Sequence, residues 1–277
     1  MQNEKERPLF GRFMASLARV TEQSEPTAFH KLVKRLDQRG TLVRVYTQNI
    51  DGLEEKVGVS TYHRTRQEEV PGQFRCIPVH GSLRYLYCPS CHAVEDGKEH
   101  ENEMMQGIFP ECGSCSKTQE TRREAGKRVL QVSRLIPDVV LYDQVHPDGQ
   151  RILEFMTEDL SGARSIDLLL VVGTGMHVIG TQRMIREFAR RVRQNQANSD
   201  NGPCVIYLNL NFQQQRKWES MFDVWVQADC QLVANALLRE MEEDEVERQG
   251  QTQRNRKIHF PDDEWGDKDE VEWYLDK

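Results

Sequence analysis

Hydrophobic positions along the 277-residue chain fall into two alternating patterns. In "EPTAFHKLVKRLDQRG" (25–40), Phe29, Leu32, Val33 and Leu36 recur at helical spacing, with an acid at the start and Gly40 as a stop, so the segment predicts a short amphipathic helix. Six apolar runs follow: "TLVRVYTQN", "CIPVHG", "PDVVLYD", "IDLLLVVGTG", "PCVIYLNLN" and "FDVWVQADC". Each is strand-length and stops at polar or glycine residues. Helical patterns such as "GQRILEFMTEDL" and "TQRMIREFARRVRQ" lie among them. This alternation predicts an α/β fold with a mostly parallel sheet flanked by helices.

In open sheets of that kind, ligands bind beyond the carboxyl ends of the strands. Gln48, Asn49 and Asp51 follow one strand, His80 and Gly81 another, and Gly173, Thr174 and Gly175 a third. Any one of these groups reads equally well as an ordinary turn, since Asn, Asp and Gly favour turns. Their coincidence at strand ends predicts one polar rim.

The length fits one main domain with a small satellite. The longest good apolar run, Ile166 to Val172, is far shorter than the roughly 18–20 residues of a membrane helix, so a soluble chain without membrane partners is expected. The charged first thirty residues contain no signal-peptide core, and no export is implied. The net charge of −7 is concentrated in residues 240–277, which hold 14 acids against 6 bases. The remainder is nearly neutral and supplies no basic face for direct, sequence-specific nucleic-acid binding. By composition the tail is expected to be disordered, serving as a solubilising end or, through Trp265, Trp273 and Tyr274, as a docking segment for a protein partner.

Seven cysteines without a signal sequence are expected as thiols. Cys88 and Cys91, a twenty-residue spacer, then Cys112 and Cys115 form two C-x-x-C pairs. Together they complete a tetrahedral thiolate shell with no open position, which is a structural zinc site. A redox dithiol competes only for a lone pair. The spacer is rich in Glu, His and Met, so the metal is expected to supply much of this insert's folding energy. His92 and His100 are possible ligands, but four cysteines leave no vacancy. Cys76, Cys204 and Cys230 lie in or beside apolar strands as buried bystanders by default.

"YTQNID", a strand ending in "VHGS", the paired C-x-x-C insert, "PDVVLY", "GTG" after one apolar strand and "NLN" after another occur in the order seen in sirtuins. The chain resembles these NAD-dependent protein deacylases from about Thr27 to Cys230. "LYDQVHPDG" is most similar to the fungal nuclear branch acting on histones. The resemblance implies a Rossmann-like NAD-binding domain with a zinc ribbon inserted. The expected divisions are 1–87 and 128–239 for the two parts of the large domain, 88–127 for the zinc-binding small domain and 240–277 for the tail.

It further implies that Gln48, Asn49 and Asp51 meet the nicotinamide ribose and carboxamide, with His80 as general base and Asn49 beside it in catalysis. Gly173, Thr174 and Gly175 would lie at the phosphates, Asn209 and Asn211 at the adenosine ribose, and Cys230 at the adenine end. Val139, Val140 and Leu141 would line the acyl-lysine tunnel. The implied activity is transfer of an acyl group from protein lysine, histone foremost, to ADP-ribose with release of nicotinamide. The implied location is the nucleus, or otherwise the cytoplasm.

Three departures from the family pattern bear on that expectation. The Gly-Ala-Gly loop and Gly-Ile-Pro-Asp-Phe-Arg segment that begin sirtuins are missing before "MQNEKERPLFGRFMASLARV", so weakened NAD affinity is expected. Asp143-Gln144 stands where Gly-Glu is usual, and Gly175 where a serine hydroxyl is usual. A catalytically impaired, zinc-containing scaffold is therefore the alternative to an active deacylase.

Overall fold

The computed structural model describes residues 6–66, 71–141, 144, 146–161, 165–196, 202, 204–211, 218, 220–250 and 272–275. The chain divides into two compact units, residues 1–26 with 44–152 and residues 27–43 with 153–277.

In the first unit, α1 (Arg7–Gln23) carries Pro8 in its first turn and buries Gly11, Met14 and Ala15. Strands β1 (Val45–Thr47) and β2 (Cys76–Pro78) pair in parallel, with Thr47 opposite Pro78. Between them runs the one-turn helix α3 (Leu53–Lys56). A second, antiparallel sheet has β3 (Gly81–Tyr87) between β4 (Val94–Asp96) and β5 (Ile136–Val139). The "PDVVLYD" run, expected among the parallel strands, thus leaves the parallel ladder and pairs antiparallel with β3. Helices α4 (Glu101–Met105) and α5 (Gly113–Glu124) also belong to this unit, as do short 3-10 turns at Arg64–Arg66, Pro71–Gln73 and Gly97–His100. One core cluster joins Ala15, Leu86, Met104, Phe109 and Leu135 to Cys88 and Cys112, so the four-cysteine segment is packed into this unit.

The second unit begins with α2 (Ala28–Gln38), capped reciprocally by Thr27 and His30. Strands β6 (Leu169–Val172), β7 (Val205–Leu208) and β8 (Val224–Gln227) are parallel. Helix α6 (Gly149–Ser161) precedes β6. Helix α7 (Ile179–Gln196) buries Ile185, Phe188, Ala189 and Val192. Asp223, just before β8, accepts the N–H groups of Cys204 and Val205 and pairs with Arg193 at 2.8 Å. Its burial opposes ionisation, but these bonds outweigh that and hold the carboxyl below its usual range.

Most of the tail expected to be disordered, residues 251–271 and 276–277, lies outside the described residues. Residues 240–250 continue α8 (Cys230–Gly250), and β9 (Glu272–Leu275) pairs antiparallel with β8. Glu, Met, Arg and Gln are good helix formers. Glu245 anchors this extension to α2 through Arg35 and Arg39. Trp273 and Tyr274 lie in β9, while Trp265 lies outside the described residues. No helix among the described residues is long and apolar enough to cross a membrane.

Candidate functional site

The four sulfurs of Cys88, Cys91, Cys112 and Cys115 lie within 4.8 Å of one another. Cys88 and Cys115 Sγ are 3.7 Å apart, and Cys91 and Cys112 Sγ 3.5 Å. A tetrahedron of thiolates at a Zn–S distance of about 2.3 Å has an edge of about 3.8 Å, so the spacing fits zinc. Each C-x-x-C turn aims a backbone N–H at its first sulfur, Cys91 to Cys88 at 3.5 Å and Cys115 to Cys112 at 3.4 Å. Burial opposes ionisation of Cys88. Hydrogen bonds from Cys91, Ser90 and Ser133 overcome it, and the thiol falls to about 6. Burial and the neighbouring sulfurs push Cys112 up to about 12. His100 is engaged elsewhere, with Nε2 2.9 Å from Glu95. The other Glu95 oxygen accepts the Gly113 N–H at 3.0 Å, bracing the second knuckle.

The parallel register of β1 and β2 creates the second feature of this unit. With Thr47 opposite Pro78, and the Val79 N–H donating to the Thr47 carbonyl at 2.9 Å, the residues leaving the two strands emerge together. His80 Nδ1 lies 3.2 Å from the Gln48 carbonyl. A carbonyl only accepts, so Nδ1 carries a proton in this contact, and in the neutral ring the lone pair falls on Nε2. The Asn49 N–H is held by Thr47 Oγ1 at 3.1 Å, and Asp51 Oδ1 accepts the Leu53 N–H at 3.2 Å. Asp51 also lines a cavity of about 510 Å³ with Ser82 and Glu55.

On the far side of His80, its carbonyl accepts the Val140 N–H at 3.0 Å. Gly81 pairs with Val139 in the antiparallel sheet. The unit therefore brings Gln48 and His80 together with the end of β5 at Val139 and with Val140 just beyond it. Leu141 and Gln144 exchange two bonds, N–H to Oε1 at 3.3 Å and carbonyl to N–H at 3.2 Å. Asp143 lies outside the described residues.

A buried ionic cluster flanks β5. Arg64, with a side chain 3% exposed, places Nη2 2.8 Å from Asp138 Oδ1 and Nε 3.2 Å from Asp148 Oδ2. Its guanidinium lies 4.4 Å from the centre of the Tyr87 ring, and the Tyr62 hydroxyl donates to Asp148 at 3.3 Å. His146 Nδ1 accepts the Asp148 N–H at 2.9 Å. Burial raises Asp138 to about 6 despite Arg64. Burial lowers His146 to about 4, with Asp148 opposing that shift. Sequence reasoning missed this cluster because "HRTR" in a polar stretch reads as solvated.

The second unit gathers the remaining predicted residues around the ends of β6 and β7. Gly173, with φ of +62°, donates to the Leu208 carbonyl at 3.0 Å, and a Cβ there would meet open space. Thr174 Oγ1 accepts the Met176 N–H at 3.2 Å, across Gly175. Asn209 turns its amide inward, donating to the Tyr207 hydroxyl at 2.6 Å and to the Asn211 carbonyl at 3.1 Å. Tyr207 donates in turn to the Thr174 carbonyl at 2.9 Å, so this buried tyrosine, also missed by sequence reasoning, ties the two loops together. Cys76 and Cys204 are buried as expected. Cys230 is only half-buried, as the first residue of α8, where desolvation and Asp229 raise its thiol.

Comparison with known proteins adds a family. The model described as "Sir2 family" matches residues 2–180. The NAD-dependent histone deacetylase HST4 of Saccharomyces cerevisiae is 31% identical over 239 residues, covering 82% of this chain and 61% of that protein. The NAD-dependent protein deacetylase hst4 of Schizosaccharomyces pombe is 31% identical, over 83% of this chain and 52% of its own length. That of Emericella nidulans is 30% identical, over 88% and 39%. The chain thus spans about half the length of the curated relatives it matches. Among solved structures, a Sir2–p53 peptide–NAD+ complex superimposes with a TM-score of 0.59 at 20% identity, covering 87% of this chain and 80% of that one. At that identity the likeness speaks to the fold.

Proposed function

Because the chain belongs to the Sir2 family, we propose that it is an NAD-dependent protein-lysine deacetylase, or more broadly a deacylase, acting on acetylated histone in the nucleus. The observation that carries this reading is the orientation of His80. Its Nδ1–H is committed to the Gln48 carbonyl, which in the neutral ring leaves Nε2 as a base among the residues that leave β1 and β2. When bound, NAD would supply an electrophilic ribose carbon; with one water consumed, the acyl group would pass to ADP-ribose, the lysine amine would be freed and nicotinamide would leave.

The chain's own residues provide binding, orientation and a proton acceptor. His80 accepts a ribose hydroxyl proton at Nε2, while the Gln48 carbonyl stabilises the imidazolium through Nδ1–H. Gln48, Asn49 and Asp51 hold the nicotinamide end. Gly173, Thr174 and Gly175 hold the phosphates, where the unfilled space over Gly173 suits close backbone approach. Asn211 and Cys230 serve the adenosine end. Asn209 contributes there through the shape of its loop, since its amide is spent inside the turn. Val139, Val140 and Leu141 receive the acyl-lysine. Zinc at Cys88, Cys91, Cys112 and Cys115 is structural, because four thiolates leave no position for substrate. The names of the Saccharomyces cerevisiae relatives HST4 and HST3, both histone deacetylases, support the histone assignment.

The test is nicotinamide release from an acetylated histone peptide, with and without His80→Ala. We expect a loss of at least a hundredfold in the variant. Equal rates in both would remove the enzymatic reading and leave the zinc-containing scaffold.

A further inference from the structure

The reading above uses neither Arg64 nor the two carboxylates that grip it, although this is the most deeply buried ionic group described in the first unit. Arg64 joins three segments distant in sequence: its own loop, β5 through Asp138, and the turn before α6 through Asp148. Asp138 immediately precedes the tunnel residues. Val139 pairs with Gly81, and the Val140 N–H donates to the His80 carbonyl. Arg64 is therefore one ion pair and two strand contacts removed from the base.

Stability alone is a poor account of such a cluster. Buried ion pairs rarely exceed well-packed apolar substitutes in stability, because both partners lose their hydration. This one also leaves two buried donors, Arg64 Nη1 and His146 Nε2, without an acceptor among the described residues. What a planar guanidinium supplies is geometry. It meets two carboxylates through two nitrogens, Nη2 and Nε, while its face lies on Tyr87. A lysine ammonium has no such fork.

We propose that Arg64 is a positioning residue, clamping β5 and the His146–Asp148 turn so that Val139–Leu141 and the His80 main chain keep one register; this rests on the roles given above to those residues. His146 belongs to the same clamp, its Nδ1 fixed by the Asp148 N–H and its Nε2–H thereby set as a donor.

The experiment compares the full chain with Arg64→Lys and with the triple variant Arg64→Met/Asp138→Asn/Asp148→Asn. The triple variant removes the whole buried charge set and is expected to fold. Exchange of the Val140 amide should be at least tenfold faster in both, while exchange of the Ile77 amide in β2 stays within twofold. The KM for the acetylated peptide should rise at least fivefold, with a smaller change in kcat. If Val140 exchanges at the wild-type rate in either folded variant, the clamp is refuted. Should wild-type protein show no His80-dependent nicotinamide release, the deacetylase reading fails instead, and the exchange rates still decide the clamp.

Discussion

Replacing Gly81 with alanine tests the strand arrangement that places His80. Gly81 has φ of +84°, and a Cβ built on it falls 2.0 Å from the Asp138 carbonyl oxygen and 3.2 Å from the Val139 Cα. Ordinary contact begins near 3.4 Å, so β3 and β5 must separate by roughly 1 Å or more, and both obstacles are backbone atoms that no rotamer change can move. The left-handed conformation costs alanine about 1–2 kcal/mol. Parting the strands breaks the 3.0 Å bond from the Val140 N–H to the His80 carbonyl, a further ~1 kcal/mol. The sum is about 2–3 kcal/mol, or roughly 10 °C in the first unit's melting temperature. Calorimetry should show that shift with the metal still bound, because Cys88, Cys91, Cys112 and Cys115 lie at the other end of β3 and beyond it. Nicotinamide release should fall more than the stability loss explains, since the base moves with the strand. A melting point within about 2 °C of wild type, with unchanged activity, would refute the reasoning.

Chelation of the metal, or Cys112→Ser, should unfold much of the first unit at a cost of several kcal/mol, on the order expected for a structural site. Two of the ligands belong to the same core as Leu86 and Phe109. Melting with metal content measured in parallel checks this, and a chelated protein that melts like the holoprotein would contradict it. Asp138 and His146 should leave opposite marks on the pH dependence of stability. Asp138 is raised to about 6, so the folded state holds its proton longer, and its contribution to stability falls as pH rises from about 4 to 6. His146 is lowered to about 4, so the unfolded state takes up a proton first, and its contribution rises with pH through the same window up to its ordinary value near 6.5. The two slopes largely cancel in the wild type. Asp138→Asn should expose a rising slope and His146→Gln a falling one in denaturant titrations from pH 4 to 6.5; identical slopes in the two variants would overturn the assignment.

The chain itself determines what depends on short-range spacing and residue chemistry. Two C-x-x-C pairs can be read as one tetrahedral site without coordinates, because each turn geometry is local and zinc demands the count. The apolar runs mark strands, and the polar residues at their ends mark Gln48, Asn49 and His80, because a strand ends where its side chains stop being buried. Only the tertiary structure decides which runs pair and in which direction. It turns β5 antiparallel onto β3, where Gly81 permits the approach, and it extends α8 to Gly250, where α2 offers arginines to Glu245. Arg64 and Tyr207 carry no local signature. A charged or hydroxyl group becomes a clamp only when residues tens of positions away supply its partners and exclude water, and that is a property of packing that spacing along the chain does not encode.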